Sequence, residues 1–351
     1  MQMTQTNIPR HRRNEIKYIV FLTLEHSHSI SIPVEIKRIT RSFKNIRLIS
    51  YSKQMKKMNI TYNQMLNYAE TNDACTDYYK DANMYYIYYN DIAPNIVKSN
   101  RYRWNIAHEL GHVLLRHHIN NDKTRIFRNS LSTDEYNILE NEADYFAQLI
   151  LVPHVALLGF KVNTVNQLRT ICKISNPASK RRYYEYMDWK SHINKNDAYD
   201  NRIFKYYYNF IFKKKCKTCN AKLIQRYGKF CPICGSKNTL QWGDGEMIYS
   251  KLDTYGNGKL KECPNCKNEE TDIKGDFCQI CGQNLINKCV NEKCKNLEVL
   301  PSNARYCPLC GAYSSFYQDD LLKAWNYNDY QNSSDEFLNI PDGIDTELPF
   351  N

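Results

Sequence analysis

Residues 108–112 read His-Glu-Leu-Gly-His, which places two histidines and one glutamate within five positions. On a helix, residues four apart project from the same face, so His108 and His112 can bind one zinc ion from successive turns. Glu109 is the candidate general base, because it can take a proton from a water molecule that attacks a peptide carbonyl polarised by the ion. The pattern therefore predicts zinc-dependent hydrolysis of peptide bonds.

The flanking residues predict the elements that position this motif. Residues 84–89 have the aromatic and β-branched composition of a strand, and Asn90, Asp91 and Pro94 predict a turn after it. Apolar residues then recur at helical spacing beside the histidines. A histidine pair on a helix can also be a solvated or hydrogen-bonded structural feature. A strand, a turn and a half-buried helix in sequence favour the catalytic interpretation, because they predict a cleft that excludes water.

A catalytic zinc ion needs a third protein ligand, and one candidate is His118. It has the spacing of the pattern His-Glu-x-x-His-x-x-Gly-x-x-His, but Leu115 stands where that pattern has glycine. If the helix continues unbroken, His118 lies about 120° from the ligand face, and His117 lies about 140° from it. We therefore expect both histidines to face solvent at the end of the helix.

The second candidate for the third ligand is Glu142. Residues 132–135 have the spacing of a helix capping box, and a helical pattern follows them. Glu142 shares a face with Leu139 and Phe146, so its carboxylate projects from an apolar stripe and needs a counter-charge that zinc would supply. Glu140 lies about 200° round the same helix. We choose Glu142 as the ligand and expect Glu140 to be solvated.

These motifs resemble those of the ImmA/IrrE metallopeptidase family. Residues 107–112 are similar to its first motif helix, and residues 142–147, followed by Leu-Val-Pro at 151–153, are similar to its second. The resemblance covers roughly residues 14–189. It implies an α+β, zincin-like domain, with His108, His112 and Glu142 as zinc ligands and Glu109 as base. It also implies an intracellular peptidase whose typical substrate is a transcriptional repressor.

Twelve of the fourteen cysteines form six close pairs in the C-terminal part of the chain. Four cysteines at this spacing are typical of a structural zinc ribbon, in which four thiolates close the metal to substrate. We predict three ribbons, whose ligands are Cys216, Cys219, Cys231 and Cys234; Cys263, Cys266, Cys278 and Cys281; and Cys289, Cys294, Cys307 and Cys310.

A disulfide framework is the alternative explanation of so many cysteines, and it would suit a secreted protein. The basic residues near the start are not followed by the apolar region of a signal peptide, and no stretch approaches the ~18 uninterrupted apolar residues of a membrane span. We therefore expect a reducing cytoplasm, where paired cysteines bind metal. Cys75 and Cys172 lie outside the pairs, and we expect no redox role for either.

The formal net charge is +11, and its distribution is uneven. Three four-thiolate zinc sites and one catalytic zinc ion would lower this value to about +7. Residues 1–60 hold twelve Lys and Arg against three Asp and Glu, whereas residues 318–351 hold one against eight. Basic residues interleaved with tyrosines in residues 180–215 could contact nucleic acid, although such runs are more often solvated helix faces.

The expected fold class is α+β: a zincin-like metallopeptidase domain with a small sheet, followed by three zinc ribbons. The predicted segments are a basic N-terminal extension (1–13), the peptidase domain (14–190), a basic aromatic connector (191–215), ribbon 1 (216–235), a linker or hairpin (236–262), ribbon 2 (263–282), ribbon 3 (289–311) and an acidic tail (312–351). We expect the tail to be disordered from residue 318 onwards.

The principal functional hypothesis is a cytoplasmic zinc endopeptidase that cleaves a protein regulator, most simply a DNA-binding repressor. It requires one catalytic and three structural Zn²⁺ ions, and the ribbons would recruit the substrate or nucleic acid. No membrane partner is expected. Two alternatives stay open: a non-catalytic ribbon regulator with a peptidase-like sensor domain, and a defence or toxin effector protease. Glu109 favours an enzyme, because a sensor needs no oriented base.

Overall fold

The chain divides into two compact units, Met1–Ile211 and Phe212–Asn351. The first unit extends beyond the predicted peptidase domain. Its last helix falls in the predicted connector, yet Tyr207 of that helix is fully buried in the first unit. The structure is a computed structural model, and the residues that it describes are 8–122, 124–126, 132–192 and 197–327.

A three-stranded sheet in the first unit consists of β1 (Ile46–Ser50), β2 (Ala74–Tyr79) and β3 (Met84–Tyr89). Their order is β1-β3-β2, with β1 parallel and β2 antiparallel to the central strand. The tyrosine-rich segment is thus the strand that its composition predicts, and Ile87 at its centre is fully buried. Among the described residues no further strand pairs with β2, so it is an edge strand of this sheet.

Helices pack around this sheet and supply most of the first unit. The first of them begins within the predicted N-terminal extension. In chain order they are α1 (Arg10–Ser27), α2 (Ile36–Arg41), α3 (Tyr51–Met58), α4 (Tyr62–Ala69), α5 (Pro94–Lys98), α6 (Arg101–Leu114), α7 (His117–Asn120), α8 (Thr133–Leu151), α9 (Val165–Cys172), α10 (Asn176–Ser191) and α11 (Ala198–Phe212).

The packing of α6 against α8 is close because Gly111 has no side chain. A Cβ atom at Gly111 would lie 3.2 Å from Ala143 Cα and 3.2 Å from Phe146 Cδ1. Ser132 caps the start of α8, and it forms the predicted capping box with Glu135. The sequence thus sets where α8 begins, and the small residue at position 111 sets how near α8 comes to the histidine motif.

The chain changes direction immediately after α6. Helix α6 ends at Leu114, and Arg116 has a left-handed backbone conformation with φ of 61°. Helix α7 then starts at His117, so both His117 and His118 turn back into the protein and are 1% exposed. The expectation that these histidines face solvent is wrong, because it assumed an unbroken helix.

One helical stretch within the described residues, Thr133–Phe160, is long and apolar enough to cross a membrane by length and composition alone. Its most apolar window is 61% buried inside the protein. It comprises α8 and a 3-10 helix, His154–Phe160, separated by Pro153. Burial of this kind is typical of a core helix, which can meet the same criteria of length and composition.

The second unit begins with a small antiparallel sheet. It contains β4 (Lys213–Cys216), β5 (Lys222–Ile224) and β6 (Leu240–Trp242), in the order β5-β4-β6. Cys216 lies at the end of β4, so ribbon 1 is built directly on the sheet. The third strand, β6, comes from the segment predicted as a linker or hairpin.

Ribbons 1 and 3 are joined by reciprocal backbone hydrogen bonds. The N–H of Lys229 donates to Pro308 O (2.8 Å), and the N–H of Arg305 donates to Pro232 O (2.7 Å). Each bond links one ribbon to the Cys-Pro-x-Cys turn of the other. The two ribbons therefore stabilise each other through main-chain contacts, although they are distant in sequence.

Part of the predicted acidic tail is folded. A short helix, α12 (Ser315–Gln318), and the residues after it pack on ribbon 2, where Phe316 and Leu322 are buried with Leu260 and Leu285. For the part of the tail that is described, up to residue 327, the expected disorder is therefore wrong, because its apolar residues complete the small ribbon core. Residues 328–351 of the predicted tail lie outside the described residues.

Candidate functional site

Three side chains converge at the interface of α6 and α8: His108, His112 and Glu140. The two Nε2 atoms of the histidines are 3.0 Å apart. Glu140 Oε2 lies 3.3 Å from His108 Nε2, and Glu140 Oε1 lies 3.3 Å from His112 Nε2. Donors bound at ~2.0–2.1 Å around a tetrahedral zinc ion are ~3.3 Å apart, so the spacing fits that metal.

The structure corrects the choice between the two glutamates. Glu142 is buried, as its place on the apolar stripe predicts, but it does not join the histidine pair. Its carboxylate accepts hydrogen bonds from Arg12 Nε (2.9 Å) and from His117 Nε2 (3.0 Å). The argument for Glu142 as a ligand failed because Arg12 supplies the counter-charge that was assigned to zinc.

Glu140, which was expected to be solvated, is only 32% exposed and faces the histidines. Burial acts to raise its pKa, but the hydrogen bonds with His108 and His112 outweigh that effect and lower the pKa of Glu140. The carboxylate is therefore charged at neutral pH. Among the described residues, its carboxylate lies within 3.3 Å of both histidine Nε2 atoms.

Asp144, one helical turn after Glu140, fixes the orientation of His108. Its Oδ1 accepts a hydrogen bond from His108 Nδ1 at 2.9 Å. Because an ionised carboxylate can only accept, this bond leaves the Nε2 of a neutral His108 without a proton. A carboxylate on the far nitrogen is the usual partner of a zinc-binding histidine.

The ring of His112 is held from the opposite side. Its Nδ1 lies 2.9 Å from the Nδ1 of His117, whose other ring nitrogen bonds Glu142. Burial lowers the pKa of His112 to about 3 and also lowers that of His117, so both rings are neutral at pH 7. Since Glu142 can only accept, His117 Nδ1 must be an acceptor and His112 Nδ1 a donor.

When both histidine rings are neutral, these hydrogen bonds leave three electron-rich atoms pointing at one position. In the neutral tautomers, the Nε2 atoms of His108 and His112 both present lone pairs beside the Glu140 carboxylate. Burial acts to lower the pKa of His108, yet the hydrogen bonds with Asp144 and Glu140 raise it to about 10. Without a metal ion His108 is therefore protonated at neutral pH, and a zinc ion bound at its Nε2 would displace that proton. The donor set fits such an ion.

Glu109 lies next to this cluster and is oriented by the sheet. Thr76 of the edge strand β2 donates a hydrogen bond from Oγ1 to Glu109 Oε2 at 2.7 Å. Burial raises the pKa of Glu109, while the charge of His108 and the Thr76 hydrogen bond lower it in part. The carboxylate is thus positioned to exchange protons close to the three converging atoms.

A cleft of about 1230 Å³ opens onto these residues. One wall is the edge strand β2 from Ala74 to Thr76, and the floor is formed by α6 and α8. An open cleft beside an unpaired strand edge can accept an extended peptide by backbone pairing. Farther along the same edge, Thr124 O accepts a hydrogen bond from the N–H of Tyr78, so the available edge is short.

Each of the three predicted sets of four cysteines is brought together in the second unit. Representative Sγ–Sγ distances are 3.6 Å for Cys216 and Cys234, 3.5 Å for Cys263 and Cys281, and 3.5 Å for Cys289 and Cys310. Thiolates bound at ~2.3 Å around tetrahedral zinc are ~3.8 Å apart, whereas a disulfide requires ~2.05 Å. The cysteines are free thiols in a zinc-ribbon arrangement, so the disulfide alternative is excluded for these sets.

Sequence reasoning assigned Glu140 and His117 to solvent, and it did not single out Asp144 or Thr76. A signal existed for two of them, because Glu140 and Asp144 are four positions apart and share one face of α8. His117 gave no such signal, because its place depends on the backbone reversal at Arg116. Thr76 is separated from the motif by more than thirty residues, and only the packing of β2 against α6 brings it near.

Residues 62–175 match the family model Peptidase_M78, described as the IrrE N-terminal-like domain. The resemblance predicted from the two motif helices is confirmed over this part of the chain. The match includes α6 and α8, and with them the histidine pair, Glu109 and Glu140. No curated protein matches the chain. The peptidase match and the three cysteine clusters together indicate a metallopeptidase that carries zinc-binding ribbons.

Proposed function

We propose that the protein is a zinc endopeptidase with His108, His112 and Glu140 as metal ligands and Glu109 as general base. The observation that carries this proposal is the convergence of three side-chain atoms that can bind zinc, spaced for tetrahedral geometry, at the floor of an open cleft. The hydrogen bond from Thr76 supports the assignment of Glu109, because it orients the carboxylate toward that cleft. A binding-only sensor would not need such an orientation.

A zinc ion at this site would act as a Lewis acid toward the scissile carbonyl and an attacking water molecule. Glu109 takes a proton from that water and returns it to the leaving amine. Its raised pKa makes it a stronger base than an exposed carboxylate, and Thr76 keeps the accepting oxygen in place. Asp144 holds His108 in the orientation that presents Nε2 to the cleft floor. The available edge of β2 would hold the substrate backbone extended.

The proposed substrate is a protein regulator, in the simplest case a DNA-binding repressor, in a reducing cytoplasm. Support comes from the match to the IrrE N-terminal-like domain and from the free thiols of all three cysteine clusters. A cleft of about 1230 Å³ that is lined in part by an edge strand suits an extended segment of a protein.

The ribbons are proposed to recruit this substrate or its nucleic acid, with one structural zinc ion each. Ribbon 1 offers a specific basic surface for such contacts. The sheet places Lys215 and Lys222 on one face, opposite the face that carries Cys216. Lys213 lies on the same face but is paired with Asp244. A cluster of lysines of this kind favours phosphates or an acidic protein segment.

Cleavage of candidate repressors by wild-type protein and by Glu109→Gln tests the proposal. We expect the wild type to produce defined fragments by mass spectrometry. The variant should bind four zinc ions per chain but lose about two to four orders of magnitude in rate, the usual contribution of a general base. Glu25→Gln, a change at an exposed residue of α1 that does not line the cleft, serves as control. Undiminished cleavage by Glu109→Gln would overturn the assignment.

A further inference from the structure

A buried chain of polar side chains leads from the candidate metal site to the first helix. It runs from His112 through His117 and Glu142 to Arg12, with distances of 2.9 Å, 3.0 Å and 2.5 Å between successive partners. His117 is 1% exposed, and the side chain of Glu142 is 8% exposed. The chain is therefore shielded from water over the two groups nearest the site.

We propose that Arg12, Glu142 and His117 are positioning residues that fix the tautomer and ring orientation of His112. This inference rests on the proposed function, because it takes His112 as a metal ligand. The argument starts at Glu142, which can only accept hydrogen bonds and so makes His117 Nε2 a donor. His117 Nδ1 is then an acceptor, and it takes the proton of His112 Nδ1. The lone pair of His112 Nε2 is thereby left facing the metal position.

Arg12 supplies a positive charge that stabilises the Glu142 carboxylate as a hydrogen-bond acceptor. Its guanidinium donates from Nε and from the terminal NH2 group to the two oxygens of Glu142, which is the bidentate geometry of a strong ion pair. Both oxygens of Glu142 thus accept hydrogen bonds from Arg12, and one of them also accepts from His117 Nε2. This geometry gives Glu142 the role of acceptor in the chain.

The chain also explains why Glu142 is buried without binding the metal. Glu140 and Asp144 face the histidine pair from one side of α8, while Glu142 leaves the other side toward α1 and α7. The two histidine ligands are thus oriented by different hydrogen-bond partners. His108 has a carboxylate directly on its far nitrogen, whereas His112 has a neutral histidine between itself and the carboxylate. The second arrangement makes the metal site depend on the placement of α1.

The test measures zinc affinity of the full-length chain by competition with a zinc-binding chromophore. The ion at the candidate site is identified as the one that Glu140→Gln loses, while the ribbon zinc is retained. We expect His117→Phe and Glu142→Ala each to weaken this zinc by about 10- to 100-fold, the range found for partners of metal ligands. Arg12→Met should weaken it in the same direction, and Arg13→Met, at the next position of α1, is the matched control.

A purely structural role for these residues is distinguished by a double-mutant cycle and by spectroscopy. If the three residues act as one chain, adding Glu142→Ala to His117→Phe should cost little further affinity. The absorption bands of Co²⁺ bound at the site should change in His117→Phe and not in Arg13→Met. Arg12→Met changes a partly exposed residue, so it remains informative if a buried variant does not fold.

The outcomes separate this inference from the proposed function. Loss of a fourth zinc ion in Glu140→Gln, together with unchanged affinity in His117→Phe, Glu142→Ala and Arg12→Met, would overturn the positioning role and leave the endopeptidase assignment intact. A wild-type chain that binds only the ribbon zinc would overturn both. Additive losses in the double variant would show that His117 and Glu142 act independently. That result would also contradict the proposed series of hydrogen bonds from Arg12 to His112.

Discussion

At the scale of single residues, three carboxylates within five positions of α8 have three different environments. Glu140 faces the histidine pair, Glu142 is paired with Arg12, and Asp144 bonds the far nitrogen of His108. Their chemistry is similar, so their roles follow from where each projects around the helix. Positions 140 and 144 share a face, whereas position 142 lies about 200° away from position 140.

The Glu140 assignment gives the first residue-scale prediction. Glu140→Gln removes the only negative charge that directly contacts both histidine Nε2 atoms among the described residues. We expect zinc content to fall from four to three per chain, and cleavage to be lost with it. Elemental analysis of the purified variant measures this. Glu135→Gln, on the exposed first turn of α8, should keep four zinc ions; a fully loaded Glu140→Gln chain would reject Glu140 as a ligand.

The pH dependence of cleavage depends on Glu109 and Thr76. Glu109 acts as a base only when ionised, so the rate should fall as pH decreases through its pKa. The hydrogen bond from Thr76 lowers that pKa. Thr76→Val removes the bond, so the acidic limb of the pH profile for kcat/KM should move to higher pH. An acidic limb that stays in place would mean that this hydrogen bond does not tune the base.

At the scale of elements, the site depends on how closely α6 and α8 approach. The contact at Gly111 leaves no room for a side chain without displacement of Ala143 or Phe146. Glu140 is carried by the turn of α8 that precedes this contact, so any separation of the helices also moves the carboxylate away from the histidines. Gly111 therefore affects the geometry of the metal site indirectly, because it sets the distance between α6 and α8.

Substitution at Gly111 should therefore have a graded effect. Gly111→Ala requires its neighbours to move by a few tenths of an ångström, whereas Gly111→Val places additional methyl groups against the backbone of Ala143. Overpacking of this kind destabilises by about 1–3 kcal/mol. We expect Gly111→Val to lower Tm and weaken the catalytic zinc, with Gly111→Ala intermediate. Calorimetry measures Tm, and zinc titration measures the affinity of the site. Equal values of both quantities for Gly111→Ala and Gly111→Val would argue against tight packing at this position.

At the scale of the whole molecule, the two units are stabilised differently. The first has an apolar core that includes Leu24, Phe146 and Tyr207, all fully buried. The ribbons have small cores in which cysteines are prominent among the buried residues. Their folding free energy should come largely from metal binding, because so little apolar surface is available to them.

Removal of zinc should therefore unfold one unit and spare the other. With a strong chelator under reducing conditions, we expect amide hydrogen exchange to rise throughout residues 212–327 and to remain slow in the core helices of the first unit. Readdition of zinc should restore protection. Mass spectrometry of peptides resolves the two units in one sample. Protected ribbons in the metal-free chain would show that their small cores suffice without zinc.

The sequence alone determined the features that depend on local spacing. The histidine pair four residues apart, the capping box at Ser132 and the three sets of cysteines all appear where they were predicted. Each depends on helix geometry or on short loops, for which a few neighbouring residues are enough. The same locality explains why the strand at residues 84–89 could be predicted.

Only the tertiary structure decided which glutamate faces the histidines and where His117 lies. Glu140 and Glu142 are both on one helix, and the choice between them depends on the rotation of α8 against α6. That rotation is set by contacts such as Gly111 with Ala143, and by an arginine more than a hundred residues away that neutralises Glu142. His117 returns to the site because the backbone reverses at Arg116. The stripe of apolar residues predicts that Glu142 is buried, but it does not predict which charged group pairs with the buried carboxylate.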